Sequence, residues 1–197
     1  MLLENNFFLI ENYLNNIEVE ELFELVKNNK ENFVKTTTFT GDCDYRKSTI
    51  LHHKFFETIR ENWKAKLFKK VPEICFKLLI PEFEPVDFEM QLTRSGNSDF
   101  YKIHNDTGHE SVVNREITFV YYFNNGKFNG GELQLYPTDT DAIYTPTLPD
   151  DNSIKIKPKH NTIIFFDSRL MHQVLKVIEQ DDNFINSRFT LNGWLKS

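Results

Sequence analysis

The 197-residue chain is 40% hydrophobic and 26% charged, a balance that excludes a disordered polar chain and fits a single domain over residues 1–197. Its formal net charge of −6 removes the surplus of Lys and Arg that a nucleic-acid partner requires, and no apolar run approaches the roughly 20 residues that span a bilayer, so neither nucleic acid nor membrane is expected as a partner. Two cysteines, Cys43 and Cys75, with no CxxC spacing exclude a disulfide framework or a structural zinc site and fit a reducing, cytoplasmic setting.

In chain order, MLLENNFFLIENYL has no basic start and breaks its apolar run at Glu4, Asn5 and Asn6, so it reads as mature sequence and not as a signal peptide. Val19, Leu22, Phe23, Leu25 and Val26 recur at three- and four-residue steps, which predicts a helix over 17–29 with one buried stripe. Phe55, Phe56, Ile59, Trp63, Leu67 and Phe68 predict a second helix, closed by Pro72, which opens a third through Leu79. Residues 1–80 are thus expected to be mainly helical support, and the 19 Phe residues predict a core built on aromatic packing.

Beyond Pro81 and Pro85 the pattern changes to short apolar or alternating runs: 87–93, 115–123, 131–136, 153–157, 162–166, 172–177 and 188–195. Runs of this length and spacing predict a mainly β antiparallel sandwich with N-terminal helices on one face, a jelly roll occupying 86–195. NNG and GG within 124–131 mark a hairpin, and the Asp-, Thr- and Pro-rich stretch 138–152 marks a long surface loop. Gly130 and Gly131 are expected to serve backbone geometry at a strand start.

His104 and Asp106 stand two apart at the end of an extended run, which sends both side chains to one side, and His172 begins a strand 68 residues on. H-x-D alone arises readily by chance; the distant second imidazole gives it weight. Two imidazoles and one carboxylate occupy one face of an octahedral ion and leave three positions open, as in non-haem iron(II) oxygenases, although the same set also suits a tetrahedral zinc ion with one water. Arg188, in RFTLNGW on the last strand, places an always-charged, bidentate-capable guanidinium where other charge is scarce, and such a group needs an anion.

Taken together, YKIHND, REITFVYYFN, GGELQLY, NTIIFF, HQVLKV and RFTLNGW, with FFLIENYL near the start, resemble the prolyl hydroxylase-type branch of the iron(II)/2-oxoglutarate oxygenases, close to the ribosomal-protein prolyl dihydroxylase-like group. The resemblance covers about 87–195. It implies a double-stranded β-helix in which His104, Asp106 and His172 bind Fe(2+) and carry catalysis, and Arg188 pairs with the distal carboxylate of the co-substrate 2-oxoglutarate. It further implies that Tyr122 and Thr118 help hold that co-substrate and that Leu133, Val174 and Trp194 line its pocket. The implied reaction consumes O2, decarboxylates 2-oxoglutarate to succinate and hydroxylates a substrate C–H bond. Halogenation is disfavoured because related halogenases replace the carboxylate that Asp106 supplies here.

In two places the sequence departs from that pattern. Arg188 lies 16 residues past His172, further than in many prolyl hydroxylases, so 178–186 is expected to be an extended hairpin loop. Thr93 or Arg94 occupies the region in which several relatives carry a co-substrate-binding Tyr. The expected substrate is a prolyl or other residue in a peptide or protein. Two further readings stand beside it: hydroxylation of a free amino acid or natural-product intermediate, and a catalytically inactive jelly-roll binding module. The sequence leaves the oligomeric state open.

Overall fold

The computed structural model describes residues 7–36, 45–136, 153–181 and 183–197; Glu4–Asn6, Cys43 and the expected loop 138–152 lie outside the described residues. A first strand, β1 (Phe8–Glu11), precedes helix α1 (Asn16–Asn28). The helix begins one residue before its apolar stripe requires. Asn15 Oδ1 accepts the Glu18 backbone N–H at 3.0 Å while the Glu18 carboxylate accepts that of Asn15, a reciprocal cap that fixes the start. Three short strands follow, β2 (Val34–Lys35), β3 (Arg46–Lys47) and β4 (Thr49–Leu51), and then α2 (Glu57–Phe68) and α3 (Val71–Leu78), whose first turn holds Pro72. The first 80 residues therefore supply strands as well as the expected helices.

The remaining strands are β5 (Asp87–Ser95), β6 (Phe100–His104), β7 (Arg115–Phe123), β8 (Phe128–Gly130), β9 (Leu133–Tyr136), β10 (Ile154–Ile156), β11 (Thr162–Asp167), β12 (Met171–Val174), β13 (Val177–Glu179) and β14 (Arg188–Lys196). They form an antiparallel major sheet, β1-β11-β7-β14-β5-β4-β2, a minor sheet, β10-β9-β12-β6-β3, and the pair β13-β8. This is the expected jelly roll packed by helices.

Period-2 alternation gives the major sheet two different faces. Ile117, Phe119, Tyr121 and Phe123 of β7, Ile163 and Phe165 of β11, and Phe189, Leu191 and Leu195 of β14 join one core with Leu22, Val26, Trp63, Leu67 and Ile74 of the helices. Tyr122, Ile164 and Phe166 turn the other way and meet Leu133 and Leu135 of the minor sheet. The helix-side core is aromatic, as the composition predicts: Trp63 stacks on Phe119 at 6.0 Å, Phe88 on Phe119 at 5.7 Å and Phe123 on Phe189 at 5.5 Å.

One expected strand divides. The run 172–177 is broken after Val174, and Val177–Glu179 leaves the minor sheet to pair with β8. The facing chain turns at the same place, where Gly130 and Gly131 both take positive φ (70° and 67°), and the register continues unshifted across the break, with Val174 opposite Leu133 and Val177 opposite Gly130. Nor is 178–186 a free loop. It starts inside β13, and Phe184 packs edge-on against Phe33 and Phe189.

Truncating Trp63, 4% exposed between the helices and β7, should cost about 3–5 kcal/mol. Phe76→Ala, at a side chain 74% exposed on α3, should cost under about 0.5 kcal/mol. Urea unfolding of the two variants measures the difference, and equal midpoints would contradict the packing described.

Candidate metal centre and anion site

His104 is the last residue of β6, and His172 lies directly opposite it on the neighbouring β12. Each ring is held by its own chain: His104 Nδ1 lies 2.7 Å from the Lys102 carbonyl oxygen and His172 Nδ1 lies 2.8 Å from that of Leu170. A carbonyl only accepts, so each Nδ1 carries the hydrogen and each Nε2 presents a lone pair. Both lone pairs face Asp106, with His104 Nε2 3.7 Å from Oδ1 and His172 Nε2 3.5 Å from Oδ2. One ligand atom from each of the three residues lies within 4.8 Å of the others, all three side chains are buried, and no other group of this kind occurs among the described residues. Three buried acceptors converging on one point with no donor between them suit a cation.

Asp106 sits just beyond β6 and is pinned on several sides. Its backbone N–H donates to the Ser168 carbonyl at 2.9 Å, and its own carbonyl accepts from Arg115 Nη1 at 3.2 Å. Burial alone would raise its pKa, but His172, His104 and hydrogen bonding from Trp194 and Thr118 hold it below the ordinary carboxylate value. The Thr118 hydroxyl donates to Asp106 Oδ2 at 2.7 Å and lies 3.0 Å from Ser168 Oγ, so it orients the carboxylate. The Trp194 indole N–H points towards the carboxylate without completing a hydrogen bond of normal geometry. Its ring carries the Arg115 guanidinium 3.6 Å above it, and Arg115 also pairs with Glu89. Tyr101 stacks on His104 at 3.6 Å and clamps that ring from the other side.

Arg188 lies at the opposite end of the same cavity-facing row of β14. It is 3% exposed, its Nε donates to the Gly131 carbonyl at 2.9 Å, and its guanidinium carbon lies 5.1 Å from the Tyr122 ring. Among the described residues it forms no ion pair, and the buried Tyr122 hydroxyl has no hydrogen-bond partner. A buried cation beside an orphaned hydroxyl is a receptor for an anion. Gly131 is obligatory here, since a Cβ would lie 2.7 Å from Arg188 Cδ. Leu133, buried in the same apolar cluster as Tyr122, and half-buried Val174, its partner on β12, stand beside the pocket.

Two polar residues between Arg188 and Trp194, Thr190 and Asn192, were not singled out by sequence because nothing marks one face of β14 until its partners are known. Thr93 faces the same side and donates to Asn192 Oδ1 at 2.8 Å. Arg94 points the opposite way, to Ser187 and Glu179.

Residues 90–196 match the family model of the 2OG-Fe(II) oxygenase superfamily. An uncharacterised PKHD-type hydroxylase of Synechocystis sp. PCC 6803 is 35% identical over 189 residues, which cover 95% of this chain and 62% of that protein, so the chain spans less than two thirds of this relative's length. Among solved structures, a Pseudomonas putida prolyl-4-hydroxylase superposes with a TM-score of 0.68 at 17% identity, covering 99% of this chain and 94% of that one. A Trichoplax adhaerens prolyl hydroxylase, in complex with a hypoxia inducible factor oxygen degradation domain peptide fragment, gives 0.70 at 20% identity, covering 98% and 84%. These likenesses establish the fold.

Two outcomes follow from the triad's surroundings. Thr118→Val removes the hydrogen bond to Asp106 at little change of volume and should weaken divalent-metal binding about 10- to 100-fold, with Thr118→Ser restoring most of it, as read by competition with a chelating dye. In the metal-free protein, burial and the neighbouring His172 hold His104 down to a pKa of about 3 against an ordinary 6.5. The unfolded chain takes up this proton near 6.5 and the folded chain does not until about 3, so the stability due to neutral His104 is complete above 6.5 and is lost as pH falls towards 3. The thermal midpoint of the metal-free protein should drop between pH 7 and pH 5, with a shallower slope in His104→Gln; equal slopes would count against the assignment.

Proposed function

The chain belongs to the 2OG-Fe(II) oxygenase superfamily, and on that footing we propose that it is an iron(II)- and 2-oxoglutarate-dependent dioxygenase that hydroxylates a C–H bond, most favourably in a prolyl residue of a peptide or protein. The observation that carries the reading is a buried His104–Asp106–His172 triad together with a buried Arg188 that has no ion pair among the described residues and shares one face of β14 with Trp194, the neighbour of Asp106. A zinc site or a cupin-like metalloenzyme without 2-oxoglutarate would account for the triad and leave Arg188 without a purpose.

In this reading His104 Nε2, Asp106 and His172 Nε2 would hold the metal, which as a three-ligand site would stay open to exchangeable ligands. Arg188, through its free Nη donors, and the Tyr122 hydroxyl take the distal carboxylate of 2-oxoglutarate, and Gly131, by accepting from Nε, fixes the direction in which the fork points. Leu133 and Val174 shield the co-substrate's methylene chain from water. Iron(II) with 2-oxoglutarate supplies the coupling of O2 reduction to decarboxylation and to hydroxylation of the substrate. The chain's own work is positional: Lys102 and Leu170 set the imidazoles, and Thr118 and Arg115 set Asp106. Trp194 and Arg115, stacked beside Asp106, form the wall against which a substrate ring would lie. The prolyl preference draws support from the family branch of the relative and from the name of the Trichoplax protein, and both belong to those proteins.

Anaerobic addition of iron(II) and 2-oxoglutarate to the apoprotein should give a visible charge-transfer band. His172→Ala should abolish it. Arg188→Ala should raise the 2-oxoglutarate concentration needed for half-saturation by about 100-fold, because it removes more than one charge-assisted hydrogen bond in a buried site. Stoichiometric iron binding with no band at any 2-oxoglutarate concentration would refute the co-substrate assignment.

A further inference from the structure

A second arginine stands close to the triad and has no acidic partner among the described residues. Arg46 lies on β3, the edge strand of the minor sheet, directly opposite Tyr101 of β6. Its guanidinium carbon sits 4.9 Å from the Tyr101 ring, and that ring is the one stacked 3.6 Å from His104. Arg46, Tyr101 and His104 thus form a column that ends at a candidate metal ligand. Arg46 Nε donates to Ser48 Oγ at 3.1 Å, which fixes the plane of the fork; beyond the contact with Tyr101, its Nη groups have no acceptor among the described residues.

Its surroundings differ from those of the other cations near the centre. Arg115 is paired with Glu89, Lys47 with Asp99 and Arg94 with Glu179. Burial depresses the Arg46 pKa, while the fields of Tyr101 and Asp106 oppose the shift. On the reading of the site given above, Asp106, a divalent metal, dianionic 2-oxoglutarate and Arg188 cancel one another's charge. Arg46 is then the single positive charge of the cavity left unbalanced among the described residues.

A part-buried guanidinium with a fixed plane and, among the described residues, no acidic acceptor for its Nη donors matches a carboxylate, which accepts two parallel hydrogen bonds and neutralises the charge; a neutral carbonyl does only part of this. We propose that Arg46 recognises a carboxylate carried by the substrate close to the carbon that is hydroxylated, so that the substrate class is carboxylate-bearing. The carboxylate belongs either to the target residue itself or to an acidic residue next to it. The inference rests on the proposed oxygenase function and adds a specificity determinant to it.

The test uses two matched probe pairs: N-acetyl-L-proline against its primary amide, and acetyl-Pro-Asp-amide against acetyl-Pro-Asn-amide. Each is titrated anaerobically into protein loaded with iron(II) and 2-oxoglutarate, and binding is read as displacement of the charge-transfer band. At least one acid should bind about ten-fold or more tightly than its neutral partner, as one charge-assisted pair requires, and the pair that discriminates identifies the source of the carboxylate. Arg46→Gln should erase the preference. The band intensity reports each variant's co-substrate loading, so a folding defect is seen directly; if Arg46→Gln fails to load, Arg46→Lys, which keeps the charge and loses the planar fork, is read in its place and should show a reduced preference. Equal binding within both pairs, silence of all four probes, or a preference that survives the substitution overturns the proposal. Succinate release with prolyl peptides is measured separately. Turnover without acid preference removes Arg46 and keeps the prolyl reading, whereas acid preference without prolyl turnover does the reverse.

Discussion

Two carbonyl oxygens, those of Lys102 and Leu170, hold the centre together. Each takes the Nδ1 hydrogen of a histidine two residues further along its own chain, so the tautomer and the ring direction are set by local backbone before any ion arrives. Because β6 and β12 are hydrogen-bonded neighbours with His104 opposite His172, the two lone pairs arrive at one point as a consequence of strand pairing. Asp106 is delivered differently, from beyond the strand end, and it needs the Ser168 carbonyl, Arg115 and Thr118 to hold it. The carboxylate is therefore the ligand most exposed to changes in its neighbours.

The two faces of the major sheet divide the labour. On β7 the sequence REITFVYYF sends Ile117, Phe119, Tyr121 and Phe123 into the helix-side core and leaves Thr118, Val120 and Tyr122 for the cavity. Aromatic stacking with Trp63, Phe88 and Phe189 anchors the same strand that supplies a support for Asp106 and an unpartnered hydroxyl beside Arg188. A rigid, dry core behind β7 and β14 is what allows a buried cation to be held without a counter-ion in front of them.

Much of this was legible in the sequence because the informative strands are long. Nine residues of β7 and nine of β14 give enough alternation to be recognised, and the order of HxD, second His and Arg along the chain carried the family resemblance. The short strands β2, β3 and β4 have two or three residues each, too few to show any period, and so Arg46 could not be placed. The break after Val174 was hidden for another reason: it falls opposite the left-handed Gly130 and Gly131 of the facing chain, a tertiary circumstance with no local mark in HQVLKV. The hydrogen bond from Thr118 to Asp106 was not legible, since the proximity of the two comes only from the folding of the chain after β6 against β7.

The long separation between His172 and Arg188 has a structural reason. β12 belongs to the minor sheet and β14 to the major one, so the chain between them must cross from one layer of the sandwich to the other. It does so as a braced crossing. β13 pairs with β8, the Glu179 carboxylate accepts from the Asn97 backbone N–H and from Ser187 Oγ, and Phe184 inserts between Phe33 and Phe189. Ser187, held on both sides by Glu179 and Arg94, is the residue that immediately precedes Arg188. The β8–β9 link that supplies Gly131 O to Arg188 Nε follows directly on β8, the strand partner of β13. The extra length thus adds contacts that hold the backbone leading into Arg188, through Ser187, from both Glu179 and Arg94.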